Sequence, residues 1–148
     1  MNSVEIARVL SSHPKTKENF KGVYALDTLP KIFTKHPVSL VVNTDPVTKP
    51  GTHWLALYMA TPHSCEYFDS YGLPPFLLPI MRLMQKYKNV YFNKTTVQSP
   101  MSDACGEFCI CFILARSVGH SMRQFLQMFA DTLVISSDML VKLYVRGL

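Results

Sequence analysis

The sequence predicts an α+β domain in which a central mixed sheet is packed by helices. Residues 38–43 form a compact β-branched run, the pattern of a strand. Residues 53–60 and 65–68 form two more strands, joined by the turn Thr61-Pro62-His63-Ser64 into a hairpin. The apolar stretch from Gly106 to Ala115 is too long for a typical strand and suits a buried helix. A few strands with helices packed around them is the α+β arrangement.

The elements follow in order. Asn2 and Glu5 are spaced as a capping box, predicting a helix over residues 3–11 with Val4, Ile6, Val9 and Leu10 as its apolar positions. Residues 12–19 are polar and read as a loop, residues 20–25 as a short extended piece, and residues 27–30 as a turn. After the strand at 38–43, Asp45-Pro46 and Pro50-Gly51 are turn signals. In the strand at 53–60, Trp54, Ala56 and Tyr58 share one face, and His53, Leu55, Leu57 and Met59 the other. Gly72-Leu73-Pro74-Pro75 breaks the sheet. A helix over 76–88 follows, with Pro79 tolerable in its first turn, then a short strand at 90–92. Ser121 is the predicted N-cap of a helix reaching Phe129, and Ser137 of one over 138–145.

At 148 residues the chain reads as a single domain, 1–148, able to bury its own core. A hydrophobic content of 48% with 17% charged residues excludes a disordered polymer. The longest apolar run is far short of a membrane span, and residues 1–10 lack a signal-peptide pattern, so no membrane partner and an intracellular setting are expected. The net charge of +5 permits polyanion binding, but the basic residues are scattered and equally suit a solvated surface. Of the four cysteines, Cys105, Cys109 and Cys111 crowd one helical segment, where a disulfide would be strained. Without Cys-x-x-Cys or clustered histidines, no metal or organic cofactor is expected.

The chemistry concentrates around Cys105. The turn-forming residues Ser99, Pro100, Ser102 and Asp103 lead into it, so its sulfur sits where a loop becomes the first turn of a helix. Unpaired N–H groups and the positive end of the helix dipole favour thiolate there. A lone cysteine is more often a small buried hydrophobe. Gly106 beside it leaves room for a substrate backbone, and Gln98 lies seven residues upstream on the same loop. His53 opens one strand of the hairpin and Asp69 closes the other, so both stand at one edge of the sheet. Glu66 is the competing carboxylate, but its odd spacing from Asp69 puts it on the opposite face. Taken singly, His53 suits a half-exposed strand residue, Asp69 a turn cap and Gln98 a surface loop.

As a set, Gly51-Thr52-His53-Trp54, Phe68-Asp69-Ser70-Tyr71-Gly72, Gln98-Ser99-Pro100 and Cys105-Gly106 resemble the adenovirus-type cysteine proteases (adenain), relatives of the SUMO-deconjugating Ulp/SENP enzymes. The resemblance runs from about Gly22 to Ala115. It implies a papain-like cysteine protease core in the adenain/Ulp arrangement, with the catalytic cysteine at a helix N-terminus. Cys105 is then the nucleophile, His53 its base, and Asp69 the group that orients His53. The Gln98 amide and the Cys105 backbone N–H would form the oxyanion hole. In the family the segment matching Gly22 and Val23 flanks the substrate cleft, and the counterpart of Trp54 lines the channel for small residues.

The resemblance further implies precursor proteins cut at glycine-rich sites, stimulation by DNA, and a place in the host nucleus or virion. Residues 89–93 lack the cysteine through which the best-known relatives bind an activating peptide, so an activating peptide here would bind non-covalently. Gln98-Ser99-Pro100 matches the adenain Gln-Gly-Pro pattern. The deconjugating relatives instead carry Asp directly before Cys-Gly, whereas here Ala104 intervenes after Asp103. A basic nucleic-acid-binding module without activity is the alternative from another class.

Overall fold

The computed structural model describes residues 1–49 and 51–148. Helix α1 (Ser3–Ser12) is followed by strand β1 (Phe20–Tyr24) and a single 3-10 turn at Leu26–Thr28. Then come β2 (Val38–Asn43), β3 (Trp54–Thr61), β4 (Ser64–Phe68), helix α2 (Leu78–Met84) and β5 (Asn89–Phe92). Helices α3 (Cys105–Ser117), α4 (Met122–Gln127) and α5 (Val134–Arg146) complete the chain. The strands lie in the order β1-β2-β3-β4-β5. The β1/β2 and β4/β5 pairs are parallel, while β2/β3 and β3/β4 are antiparallel, so the sheet is mixed as the sequence predicts.

Both faces of the sheet are covered. Val41, Ala56, Tyr58 and Phe68 pack with residues of α1, α3, α4 and α5 on one face. Leu40, Leu55, Leu57, Met59 and Tyr67 pack with Ile80, Leu83 and Met84 of α2 on the other. Helix α3 lies at the centre of the first layer, and every residue from 105 to 115 is buried. A helix apolar on all sides is a core helix. Phe68 stacks on Phe112 at 4.8 Å, and Phe125 meets both rings edge-on, which ties α3 and α4 to β4.

The Asn2/Glu5 capping box forms, with the Asn2 side chain accepting from the Glu5 N–H at 2.9 Å and Glu5 returning the bond at 2.8 Å. Several boundaries differ from the sequence prediction by a residue or two, α4 ending at Gln127 short of Phe129 among them, and three differences affect the packing or the site. Helix α2 is shorter than residues 76–88: it starts with Pro79 in its first turn and ends at Met84. Beyond it the turn tightens, with the Tyr87 N–H donating to the Met84 carbonyl, and Tyr87 turns into the core with its hydroxyl 2.9 Å from His36 Nε2. Helix α5 begins a turn before the predicted residue 138. Ser137 is therefore inside it, buried, and its hydroxyl donates to the Leu133 carbonyl instead of capping. Strand β3 begins at Trp54, leaving His53 just outside it. The turn prediction at Pro50 lies outside the described residues. No helix among the described residues is long and apolar enough to cross a membrane.

Candidate active site

Cys105 is the first residue of α3 and 8% exposed. His53 is fixed in front of β3 by its carbonyl, which accepts the Thr44 N–H at 3.0 Å. Its Nε2 lies 2.8 Å from Asp69 Oδ1, and the Cys105 side chain is near enough to the same imidazole to favour its protonated form. The structure thus gathers three residues widely separated in sequence. Burial disfavours the imidazolium, but hydrogen bonds to Asp69 and Cys105, and the charges of both, outweigh it and raise the His53 pKa from 6.5 to about 9.

The register of the hairpin explains why Asp69 and not Glu66 meets the histidine. Ala56 pairs with Phe68, Leu57 with Tyr67 and Tyr58 with Glu66, so Glu66 shares the Phe68 face. Glu66 is engaged there by Arg116, with Oε2 2.8 Å from Nη2. Asp69 is 3% exposed and held at its N–H, its carbonyl and Oδ1. Its N–H donates to Asn93 Oδ1 at 3.0 Å, its carbonyl accepts from Asn93 Nδ2 at 2.6 Å, and its Oδ1 accepts the Tyr71 N–H at 2.9 Å.

Gln98 is 1% exposed, which removes the surface-loop reading. Its Oε1 accepts from the Ser70 hydroxyl and its Nε2 donates to the Ser102 carbonyl at 2.9 Å. These bonds orient the amide within the loop that leads to Cys105, and one of its two N–H groups accounts for the Ser102 bond.

The predicted substrate-contact residues separate. Val23 and Trp54 line a common cavity of about 300 Å³ together with Tyr24, Asn43 and Asp45. Gly22 lies on the edge strand β1 outside that lining; its φ of +150° accompanies a register irregularity between Phe20 and Gly22. Gly106 differs from expectation. A Cβ there would lie 3.1 Å from Ile6 Cδ1, 3.4 Å from Met1 Cβ and 3.5 Å from Trp54 Cδ1. The space beside its Cα, which the sequence reading assigned to a substrate, is occupied by α1 and Trp54.

Sequence reasoning missed four residues that position this cluster: Ser70, Tyr71, Asn93 and Asp138. Ser70 and Tyr71 fall within a recognised stretch but read as ordinary turn residues. Asn93 follows a strand whose parallel pairing with β4 is not a local property. Asp138 gave no signal beyond being a carboxylate in a helical segment.

No protein-family model matches the chain, and no curated protein matches it. Solved structures do resemble it, among them two of differing likeness. The central domain of the uncharacterized Lpg1148 protein from Legionella pneumophila has a TM-score of 0.54 at 16% sequence identity, over 99% of this chain and 96% of that one. That likeness shows a shared fold. The ASFV pS273R protease has a TM-score of 0.46 at 26% identity over 68% of this chain. The match spans 41% of that protease's length.

Proposed function

We propose that the chain is a cysteine endopeptidase acting through Cys105, His53 and Asp69. One observation carries this reading: Cys105 opens a helix beside an imidazole that it helps to keep protonated and that a buried aspartate holds at 2.8 Å. An imidazolium stable to about pH 9 is a ready partner for a thiolate and a ready proton donor. In the first step the Cys105 proton resides on His53 and the sulfur attacks the scissile carbonyl carbon. The carbonyl oxygen becomes an oxyanion, received by the Cys105 backbone N–H and the Gln98 amide. Collapse of that intermediate breaks the C–N bond, and His53 delivers its proton to the departing amine. A water molecule, deprotonated by the now neutral imidazole, attacks the thioester and releases the acid, returning the sulfur as thiolate.

Precursor proteins with glycine before the cut are the proposed substrates, with DNA as a stimulating polyanion and the nucleus or virion as the setting. Digestion of a peptide library by wild type and Cys105→Ala tests the reading. Cleavage after glycine that disappears in the variant is expected, and cleavage by neither protein overturns the proposal. Parallel arms with added DNA and with ubiquitin-like fusion proteins test the stimulation and separate precursor processing from deconjugation.

A further inference from the structure

Helix α5 reaches the loop between Gln98 and Cys105 at two points, one turn apart. Asp138 is 5% exposed and accepts the Ser99 backbone N–H on both carboxylate oxygens, at 3.2 and 3.3 Å. The Ser102 side chain lies near the same carboxylate and favours its charged form. Lys142 Nζ meets Asp103 Oδ1 at 2.5 Å.

The loop is otherwise open to solvent. Met101 is 95% exposed and the Asp103 side chain 84% exposed, so the apolar core does not hold its tip. Ser102 is where the internal bonds converge. Its N–H donates to the Ser99 carbonyl at 3.0 Å, its carbonyl accepts from Gln98 Nε2, and its hydroxyl accepts the Ala104 N–H at 3.0 Å. A carboxylate that anchors Ser99, itself bonded to Ser102 through its carbonyl, therefore braces the span separating the Gln98 amide from Cys105. Burying a carboxylate is costly unless it is hydrogen-bonded, and what offsets the cost here comes from the Ser99 N–H of this loop and the charge of Lys142. Burial pushes the Asp138 pKa up, while the Ser99 N–H, the Ser102 side chain and the Lys142 charge pull it down; Asp103 adds to the upward push, and the net direction is up.

We propose that Asp138 is a positioning residue that holds the 98–105 loop in the shape an oxyanion hole requires. The inference rests on the endopeptidase reading above. Preorganised donors stabilise developing charge only if their supporting shell fixes them within a fraction of an ångström.

The test uses the full chain and two reagents for Cys105. An N-acetyl peptide ending in glycinal adds reversibly: a C–S bond forms, the C=O π bond breaks, and the oxygen enters the oxyanion site. Iodoacetamide alkylates the same sulfur by displacing iodide and calls on no oxyanion donor. Asp138→Ala is expected to weaken aldehyde binding about tenfold, part of the hundredfold or more that a lost donor brings. The alkylation rate at Cys105 should stay within about twofold. Asp138→Asn, which keeps an acceptor for the Ser99 N–H, should recover most of the aldehyde affinity. Unchanged aldehyde binding in Asp138→Ala, or a parallel fall with both reagents, overturns the proposal. If thermal unfolding shows Asp138→Ala to be unfolded, Asp138→Leu, which fills the same space without an acceptor, decides instead: a selective loss of aldehyde affinity supports the role, and wild-type behaviour or a parallel fall removes it. Failure of the endopeptidase reading looks different, because wild type itself would neither cleave peptides nor bind the aldehyde, and the inference would fall with it.

Discussion

Tyr71 lies against the imidazole of His53, with ring centroids 4.9 Å apart and planes inclined by 26°. Its backbone N–H donates to Asp69 Oδ1, the oxygen that also meets His53 Nε2, so one residue confines both partners. The Tyr71 hydroxyl is 3.5 Å from the Ser102 carbonyl, at the outer limit of a hydrogen bond, and adds little. Stacking of this kind is worth about 0.5–1.5 kcal/mol. Tyr71→Phe should therefore keep kcat/KM, while Tyr71→Ala should lose about three- to tenfold. Equal losses in both variants would transfer the role from the ring to the hydroxyl.

His53 offers a direct electrostatic check. With its pKa raised to about 9, an NMR titration of its ring protons should have a midpoint near that value, and Asp69→Asn should move it down. The sign for stability follows, because the folded state prefers the protonated ring more strongly than the unfolded chain does. The contribution is fully present below pH 6.5 and is lost as pH rises through about 9. Thermal unfolding of wild type should decline across that window by an amount that His53→Gln does not show. A midpoint near 6.5 in the folded protein would remove the imidazolium from the mechanism.

The pairing of His53 with Asp69 was legible because it depends only on parity within a hairpin. Glu66 and Asp69 are three positions apart, and an odd step in a strand changes face. The position of Cys105 was legible from the abrupt change from turn residues to an apolar run. What holds these groups was not, because each support comes from a distant segment. Asn93 reaches Asp69 through the parallel β4/β5 pair, and Gly106 owes its small size to Ile6, a residue near the other end of the chain. The start of α5 was hidden because Leu133, Val134 and Ile135 are exposed apolar residues, so hydrophobic periodicity does not mark the boundary.

Exposure sets Cys105 apart from the fully buried Cys65 and Cys109 but does not distinguish it from Cys111: Cys105 is 8% exposed and Cys111 9%. Their surroundings do. Burial pushes Cys65 and Cys111 up to about 12 and Cys109 well above its ordinary value, whereas Cys105 faces an imidazolium and a helix N-terminus. One equivalent of iodoacetamide near neutral pH should label Cys105 alone, read by peptide mass spectrometry. Labelling spread over several cysteines would mean that the sulfur is not activated.

Glu66 and Asp69 should give opposite phenotypes. Arg116 donates from Nε to both Glu66 oxygens, at 2.9 and 3.2 Å, and from Nη2 at 2.8 Å, while its guanidinium lies 4.6 Å from the Tyr58 ring. Removing one partner of such a largely buried pair leaves the other charge uncompensated, at roughly 3 kcal/mol. Glu66→Ala should lower stability by about that amount in urea unfolding, with peptide cleavage by the folded enzyme within twofold of wild type. Asp69→Ala should instead remove most of the activity. A Glu66→Ala enzyme that is stable and inactive would make Glu66 the carboxylate of the site.

Gly72 closes the turn that carries Asp69, Ser70 and Tyr71, and its substitution should damage fold and site together. Its φ is +72°, and a Cβ would come within 2.7 Å of the Thr95 carbonyl carbon, 2.8 Å of the Thr96 nitrogen and 2.9 Å of the Thr95 oxygen. These are backbone atoms with no rotamer to yield. The contact is close because the turn is bonded to the segment opposite, with the Ser70 carbonyl accepting the N–H groups of Val97 at 2.8 Å and Gln98 at 3.1 Å. Any shift that relieves the clash therefore moves Asp69 relative to Gln98. Gly119 supplies the control: its φ is +103°, but no atom lies within 4 Å of a Cβ built there. Gly119→Ala should cost only the left-handed backbone penalty, about 1–2 kcal/mol, with cleavage unchanged. Gly72→Ala should cost clearly more in urea unfolding and reduce kcat/KM in whatever fraction remains folded. Equal costs for the two variants would mean that the turn yields freely and does not fix the distance between Asp69 and Gln98.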